Sequence, residues 1–264
     1  MGLTGDGTVG KAIEVLDRVA AYGRPVRFSE LLDNAPYPKA TLYRFLQALT
    51  NQRMLTYDPD RGTYAPGMRL VRLAHAAWAQ SSLAPIAQPH IDRLSARVAE
   101  TVHLAQLDNG QVLYVDKRNA TKPVPMFSQS GKVGPAYCTG VGKAMLAFLE
   151  ASARDEALAQ QSWHRFTPKT VTSPDAMQDV LQTIRDRGFA FDDEEHEPGI
   201  ICVAAPILSR KGRPMGALSI TSTTSRTDLD GLARLAPDLT DCARAIARDA
   251  EDWAFPETHA GTQA

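Results

Sequence analysis

The chain has 264 residues, 44% of them hydrophobic and 22% charged. That is enough for one or two globular domains with a real core and no need of disulfide staples. Lys plus Arg is 29 and Asp plus Glu is 30, a net charge of −1, which excludes a histone-like protein held to a polyanion by bulk charge. The charge is uneven, however. Residues 1–72 hold 10 basic and 7 acidic residues, a net of +3, and the remainder carries −4. Between Tyr37 and Arg72, six basic residues (Lys39, Arg44, Arg53, Arg61, Arg69 and Arg72) stand against Asp58 and Asp60. An excess of this kind is most often a solvated helix face, so it gains meaning only from the elements that carry it.

Residues 9–22 read as a first helix, with Val9, Ile13, Leu16 and Ala20 as its apolar stripe and Gly23 as its stop. Residues 26–28 are extended, and Ser29 is placed to cap a brief helix carrying Leu31 and Leu32. A Pro-rich turn follows. Residues 38–51 then give the clearest helix of this part: Pro38 suits its first turn, and Leu42, Phe45, Leu46 and Leu49 make one buried stripe. The opposite face carries Ala40, Arg44, Gln47 and Asn51, flanked by Thr41 and Tyr43, with Lys39 in the first turn. A short helix, a tight turn and a second helix with a cation-bearing outer face is the helix-turn-helix plan. The outer residues are types that reach base edges and phosphates. Two short strands follow at 54–57 and 63–65, joined by Asp58-Pro-Asp-Arg-Gly62, so a wing with Arg61 at its tip is expected. The alternative is a small helical subdomain whose hairpin packs on its neighbour. Residues 67–80 predict a linking helix with Leu70, Leu73, Ala74, Ala77 and Trp78 as its stripe, able to pair across a dimer or to pack on its own chain.

Beyond Leu83 the pattern changes. A helix is expected to Glu100, interrupted by Pro85 and Pro89. Strands at 101–107 and 111–118 flank Asp108-Asn-Gly110, a strong hairpin signal. Residues 124–129 are read as a third strand, and 139–149 as a Gly-rich turn entering a helix. Ser173-Pro-Asp opens a helix ending at Gly188. Strands follow at 189–192, 201–208 and 214–221, then helix from 227 to 252. The tail at 253–264 is expected to be disordered. Hairpins mixed with helices give an α+β class built on an antiparallel sheet.

Three segments could share a pocket. Cys138-Thr-Gly-Val-Gly-Lys143 offers backbone N–H groups at a helix start, which suit an anion. Tyr137 and Ala144 break the Walker A pattern, so a small carboxylate fits better than a nucleotide. The acidic run at 192–197 leads to a buried-looking strand bearing Cys202, and Ser219 and Thr221 share one strand face. Each feature alone has a bland reading as packing or a solvated loop. Three widely spaced cysteines (Cys138, Cys202, Cys242), with no Cys-x-x-Cys and no His-x-x-x-His, predict neither a disulfide framework nor a metal site, and no cofactor is expected. Cys202 with His196 or His103 as base would make a Cys-dependent enzyme, but no nucleophile motif is present; a thiol-based redox sensor using Cys202 or Cys138 is the other alternative. No signal peptide is evident. The longest apolar run, 200–208, contains Pro206 and is far short of the roughly 20 residues that span a bilayer, so a soluble cytoplasmic protein is expected.

Taken together, these residues resemble the isocitrate-lyase-regulator (IclR) family of bacterial transcription factors. The N-terminal match is Tyr37-Pro-Lys-Ala-Thr-Leu-Tyr-Arg-Phe-Leu46 with Tyr64-Ala-Pro-Gly-Met-Arg-Leu70. The C-terminal match is Thr139-Gly-Val-Gly-Lys-Ala-Met-Leu-Ala147, Arg187-Gly-Phe-Ala-Phe-Asp-Asp-Glu-Glu195 and Gly199-Ile-Ile-Cys-Val-Ala-Ala-Pro206. The resemblance implies a winged helix-turn-helix at 1–66, a linker helix at 67–82 and a GAF-like effector and oligomerisation domain at 83–252. It implies dimers or dimers of dimers on double-stranded operator DNA, and a regulator, more a repressor than an activator. The effector would be a small organic acid, such as glyoxylate, pyruvate or a sugar acid. The DNA contacts would be Lys39, Thr41, Tyr43, Arg44 and Arg61; the effector contacts would be Gly140, Val141, Asp192, Ile200, Cys202, Ser219 and Thr221. Many members have Leu-His where this chain has Ala136-Tyr137, so the wall before the turn is expected to differ. Met126 and Phe127 would add apolar surface to the pocket.

Overall fold

The computed structural model describes residues 7–251; the tail expected at 253–264 lies outside the described residues. The chain forms two compact units, one reaching Gln80 and one starting at Ser81, so that the last residue of the helix at the boundary already counts with the second. The first unit contains α1 (Gly7–Ala21), β1 (Val26–Arg27), α2 (Phe28–Asp33), α3 (Lys39–Asn51), β2 (Leu55–Asp58), β3 (Thr63–Pro66) and α4 (Met68–Ser81). Its core joins Leu42, Phe45, Leu46 and Leu49 of α3 to Val15, Leu16 and Val19 of α1, with Val26, Leu31, Leu55 and Tyr64. The three strands are antiparallel in the order β1-β3-β2.

Local chemistry explains how this unit turns its corners. The α3 helix stops where Arg53 enters the left-handed region (φ 59°) and the Met54 N–H closes on the Leu49 carbonyl at 2.9 Å. The chain leaving the wing must pass close to that stop. A β-carbon at Gly67 would lie 2.3 Å from the Arg53 carbonyl oxygen, so only glycine serves there. At the wing turn, Asp58 Oδ1 accepts the N–H groups of Asp60 and Arg61 at 2.9 and 3.2 Å.

Two expectations for this unit need correction, and a third is narrowed. The α1 stripe is rotated: Ala12, Val15, Leu16 and Val19 face inward, while Val9 and Ile13 are exposed. Both stripes have helical spacing and share Leu16, so only the packing partner decides between them. The α2 helix begins at Phe28, which puts Ser29 inside it. The Glu30 carboxylate does the capping work by accepting the Arg27 N–H at 2.9 Å. On α4, Leu70 alone of the expected stripe packs on the core of this unit; Leu73 and Trp78 are exposed.

The second unit contains α5 (Ala84–Val98), β4 (Thr101–Asp108), β5 (Gln111–Arg118), β6 (Val133–Pro135), α6 (Gly140–Leu146), α7 (Ala151–Ala159), α8 (Pro174–Arg187), β7 (Ala190–Asp193), β8 (Ile200–Leu208), β9 (Pro214–Thr223), α9 (Leu229–Ala233) and α10 (Ala236–Asp249). Its six-stranded antiparallel sheet has the order β6-β5-β4-β9-β8-β7. Two three-stranded meanders therefore meet at β4 and β9, the first and last strands of the unit. Pro85 and Pro89 do not interrupt α5: Pro85 falls in the first turn, where the amide lacks a helical partner anyway, and Pro89 is carried inside the helix at the loss of one helical hydrogen bond.

The sheet has two different faces. Val102, Leu104, Val203, Ala205, Leu218 and Ile220 pack against α5 and α10. The other face carries small residues, Ala105, Ala190, Ala204 and Ala217, beneath α6. Small side chains let α6 lie close, and all seven of its residues are buried, with α8 packed outside through Met177, Leu181 and Ile184. Lys143 is drawn into the interior with α6 and pairs there with Glu195.

Residues 124–129 are not a strand; the third strand of the first meander is β6. Pro123 and Pro125 remove ladder donors from that segment. Its polar backbone groups go to side chains instead. The Phe127 N–H donates to both Glu197 carboxylate oxygens at 3.0 and 3.1 Å, and the Ser128 carbonyl accepts from Lys117 Nζ at 2.8 Å. The segment is a strap rather than a strand.

Leu46 is fully buried at the centre of the first unit. Leu46→Ala is expected to cost about 2–5 kcal/mol in denaturant unfolding followed by signals from that unit. A loss of less than about 1 kcal/mol would contradict this core.

Candidate functional site

The first unit presents the outer face of α3. Lys39, Tyr43 and Arg44 are exposed there, Thr41 is half-buried in the first turn, and Arg61 stands exposed at the wing tip. Lys39 and Arg44 have no carboxylate partner among the described residues. Arg61 keeps a loose 3.9 Å pairing with Asp58. Arg69 is different, because its guanidinium donates to the Gln52 carbonyl and side chain at 2.9 Å and so fastens α4 to the end of α3. The basic excess therefore divides into solvent-facing cations on α3 and the wing and at least one cation with a structural partner.

In the second unit, one cavity of about 30 Å³ is bordered by Gly140, Val141, Asp192, Ile200, Cys202, Ser219 and Thr221 together. The strand register explains the convergence. Thr101, Thr221, Cys202 and Asp192 lie opposite one another across β4, β9, β8 and β7. His103, Ser219 and Ala204 form the next row. The turn into α6 approaches from above the sheet: a β-carbon at Gly140 would be 2.4 Å from Cys202 Sγ, so glycine is required there. The strap contributes Phe127 and Ser128 to the remaining side, with His196 and Glu197 beside it.

Burial sets the charge state of this cavity. Desolvation, with a smaller push from Lys117, lowers His103 to about 3, so its imidazole is neutral. Ser128 Oγ lies 2.8 Å from Nε2, while Thr221 and Ser219 hydroxyls lie 3.2 and 3.3 Å from Nδ1. Desolvation also raises Asp192 to about 7, against the pull of nearby Lys143, and its carboxylate accepts the Glu195 N–H at 2.8 Å. Burial alone would raise Glu197, but hydrogen bonds from His196 and the Phe127 amide hold it below the usual carboxylate value. Among the described residues no Lys or Arg borders the cavity, and Lys143 is committed to Glu195. Ligand oxygens would therefore meet hydroxyls and amides rather than a free cation. The thiols of Cys138 and Cys202 are buried, and burial pushes both well above the ordinary value, which keeps them protonated.

Two family models match the chain: the IclR helix-turn-helix domain at residues 8–59 and the bacterial transcriptional regulator IclR C-terminal domain at 75–248. The chain belongs to the IclR family. It is 29% identical to the transcriptional regulator XynR of Escherichia coli over 91% of this chain and 96% of that one. It is 30% identical to the acetate operon repressor of Salmonella typhimurium, covering 85% of this chain and 83% of that protein. The crystal structure of the Thermotoga maritima IclR protein superposes with a TM-score of 0.73 at 29% identity, covering 92% and 98% of the two chains. This is a DNA-binding transcriptional regulator of the IclR type. Among the described residues, no helix is long and apolar enough to cross a membrane.

Within this IclR-type unit, the cavity also takes in residues beyond the expected set: His103, Tyr114, Ser128, Thr139, His196 and Glu197. His103 had a usable signal, since a histidine between Val102 and Leu104 on a buried strand must find polar partners. Ser128 of the strap had none, because its place follows from a long connection. Ala136 and Tyr137 do not form the cavity wall expected of them. Tyr137 is fully buried, packs on Trp163 at 5.1 Å and donates its hydroxyl to the His164 carbonyl at 2.6 Å. Of the expected apolar pair, Phe127 borders the cavity and Met126 does not.

Asp192 keeps its proton in the folded chain up to about pH 7, whereas an unfolded Asp releases it near about 4. The stability this provides is present below pH 4 and is lost as pH rises towards 7. Asp192→Asn should therefore gain stability relative to the native chain between pH 4 and 8 in paired denaturation curves. A pH-independent difference would contradict the buried carboxyl. His103 acts in the opposite direction, its contribution being lost as pH falls from about 6.5 towards 3.

Proposed function

We propose that this regulator is a repressor whose operator affinity is set by a small carboxylate held in the cavity of the second unit. The observation that carries this reading is the convergence of the Gly140 turn, Asp192, Ile200, Cys202, Ser219 and Thr221 on one buried polar space. The first amides of a helix and several hydroxyls can hold carboxylate and carbonyl oxygens. The cavity, about 30 Å³, has room for about two waters. A 2-oxo acid such as glyoxylate or pyruvate needs less displacement of the strap than a sugar acid does. The protonated thiols of Cys138 and Cys202 favour this reading over a redox sensor or a Cys-dependent enzyme. The repressor assignment draws on the likeness to the acetate operon repressor of Salmonella typhimurium.

In this reading, residues 1–66 bind DNA, 67–82 link, and 83–252 form a GAF-like effector domain. With α3 in the major groove, Lys39, Thr41, Tyr43 and Arg44 make base and phosphate contacts, and Arg61 reaches the backbone or minor groove from the wing. The protein works in the cytoplasm as a dimer or dimer of dimers. The exposed apolar residues Val9, Ile13, Val71 and Leu73 supply surface for self-association. Effector binding changes operator affinity only by as much as the acid prefers one state over the other.

Two measurements test this function. Arg44→Ala should weaken binding to a duplex selected by the native protein by about 1–3 kcal/mol, if Arg44 pairs with guanine; undiminished binding would remove α3 as the reading helix. Calorimetry with glyoxylate, pyruvate and gluconate should find a binder whose affinity falls on Ser219→Ala and Asp192→Ala. Unchanged affinity in both variants would place the effector elsewhere.

A further inference from the structure

A cavity for an anion would ordinarily carry a cation, and this one carries a buried carboxyl group instead. Asp192 is 7% exposed and borders the space beside Gly140, Cys202, Ser219 and Thr221. The titratable groups facing it are Lys143 from α6, Glu195 and His196 from the turn after β7, Cys138 from the segment before α6, Cys202 from β8 and Tyr114 from β5. Burial keeps the two thiols and the phenol neutral. The Lys143 ammonium is paired with Glu195, and His196 stands 3.9 Å from the Glu197 carboxylate. The cavity is only about 30 Å³, room for about two waters. A carboxylate held there lies within contact distance of Asp192, and two carboxylates that share a site do not both stay ionised.

We propose that the cavity takes up its acid together with one proton, which goes to Asp192, and that the Asp192 O–H then donates to a carboxylate oxygen of the ligand. The inference rests on this cavity being the effector site. No bond in the acid forms or breaks. One O–H bond forms at Asp192, and one breaks in hydronium or in the acid form of the buffer. The surroundings direct the proton to this group. His103 is lowered to about 3 and does not hold it. Glu197 accepts the Phe127 N–H through both oxygens, an arrangement that favours its ionised form. Asp192 Oδ1 accepts the Glu195 N–H at 2.8 Å, so the proton belongs on its other oxygen. Burial has already raised Asp192 to about 7, so the neutral form lies close to hand. A ligand that prefers the protonated carboxyl binds fully below that value, and its affinity falls as pH rises through it. The regulator would therefore respond to the acid more strongly as the solution becomes more acidic.

Calorimetric titration of the full-length chain with pyruvate or glyoxylate tests this. Titrations at one pH in two tertiary-amine buffers of unlike ionisation enthalpy read the number of protons taken up. HEPES and triethanolamine serve on the alkaline side, and MES and bis-tris on the acid side. Uptake should be close to one proton per acid bound at about pH 8 and close to none at about pH 6, with the association constant about tenfold lower at the higher pH. Asp192→Asn is neutral and still a donor, so it should take up no proton and bind with the same affinity at both values. Zero uptake by the native chain on the alkaline side would overturn the proposal. So would uptake that persists in Asp192→Asn. Should that variant not fold, His196→Gln replaces it: uptake retained there supports Asp192 as the acceptor, and uptake lost there overturns it in favour of the imidazole. Failure of the effector site itself shows separately, as native affinity for the acid in Ser219→Ala, and would remove this proposal with it.

Discussion

The second unit depends on one pairing, that of β4 with β9. It joins the first strand of the unit to the last and turns two separate meanders into one sheet. Its register sets His103 beside Ser219 and Thr101 beside Thr221. Strand alternation then sends those side chains to one face and Val102, Leu104, Leu218 and Ile220 to the other. A slip of one residue would send the hydroxyls and the imidazole into the α5–α10 core and the aliphatic residues into the cavity. The hydrophobic side of the sheet therefore fixes the polar side.

A polar space inside a sheet domain is costly unless its groups satisfy one another. Here the imidazole stays neutral and has three hydroxyls within hydrogen-bonding distance, and Asp192 takes a backbone amide. The closing elements follow from small residues. Gly140 can pass over Cys202, and the alanines beneath α6 bring that helix down onto the sheet. The strap then covers the remaining side, held through Phe127 to Glu197 and through Ser128 to Lys117.

Much of this was legible from local signals. The α3 stripe, the Asp-rich wing turn, the Asn109-Gly110 hairpin and the three converging segments are each encoded within about ten residues, where spacing and turn chemistry act directly. The failures came where the deciding partner is distant. Two overlapping stripes on α1 satisfy the same period, and α3 selects one. Residues 124–129 have strand-like composition, yet Glu197 and Lys117 claim their backbone groups. The α7 helix has no clear apolar period, with only Ala157 and Leu158 buried, so nothing in 151–159 announces it. His103 was weighed only as a base for Cys202, whereas the register gives it to Ser219, Thr221 and Ser128.

The central claim is that the polar space formed by the β4·β9 register, the Gly140 turn and the strap is where a small acid acts. Amide hydrogen exchange of the full chain, with and without a saturating 2-oxo acid, tests it most directly. The account predicts slowed exchange at 124–130 and at 138–142, together with a shift in operator affinity at the same acid concentration. Operator affinity that responds to the acid while exchange in both segments stays unchanged would contradict it.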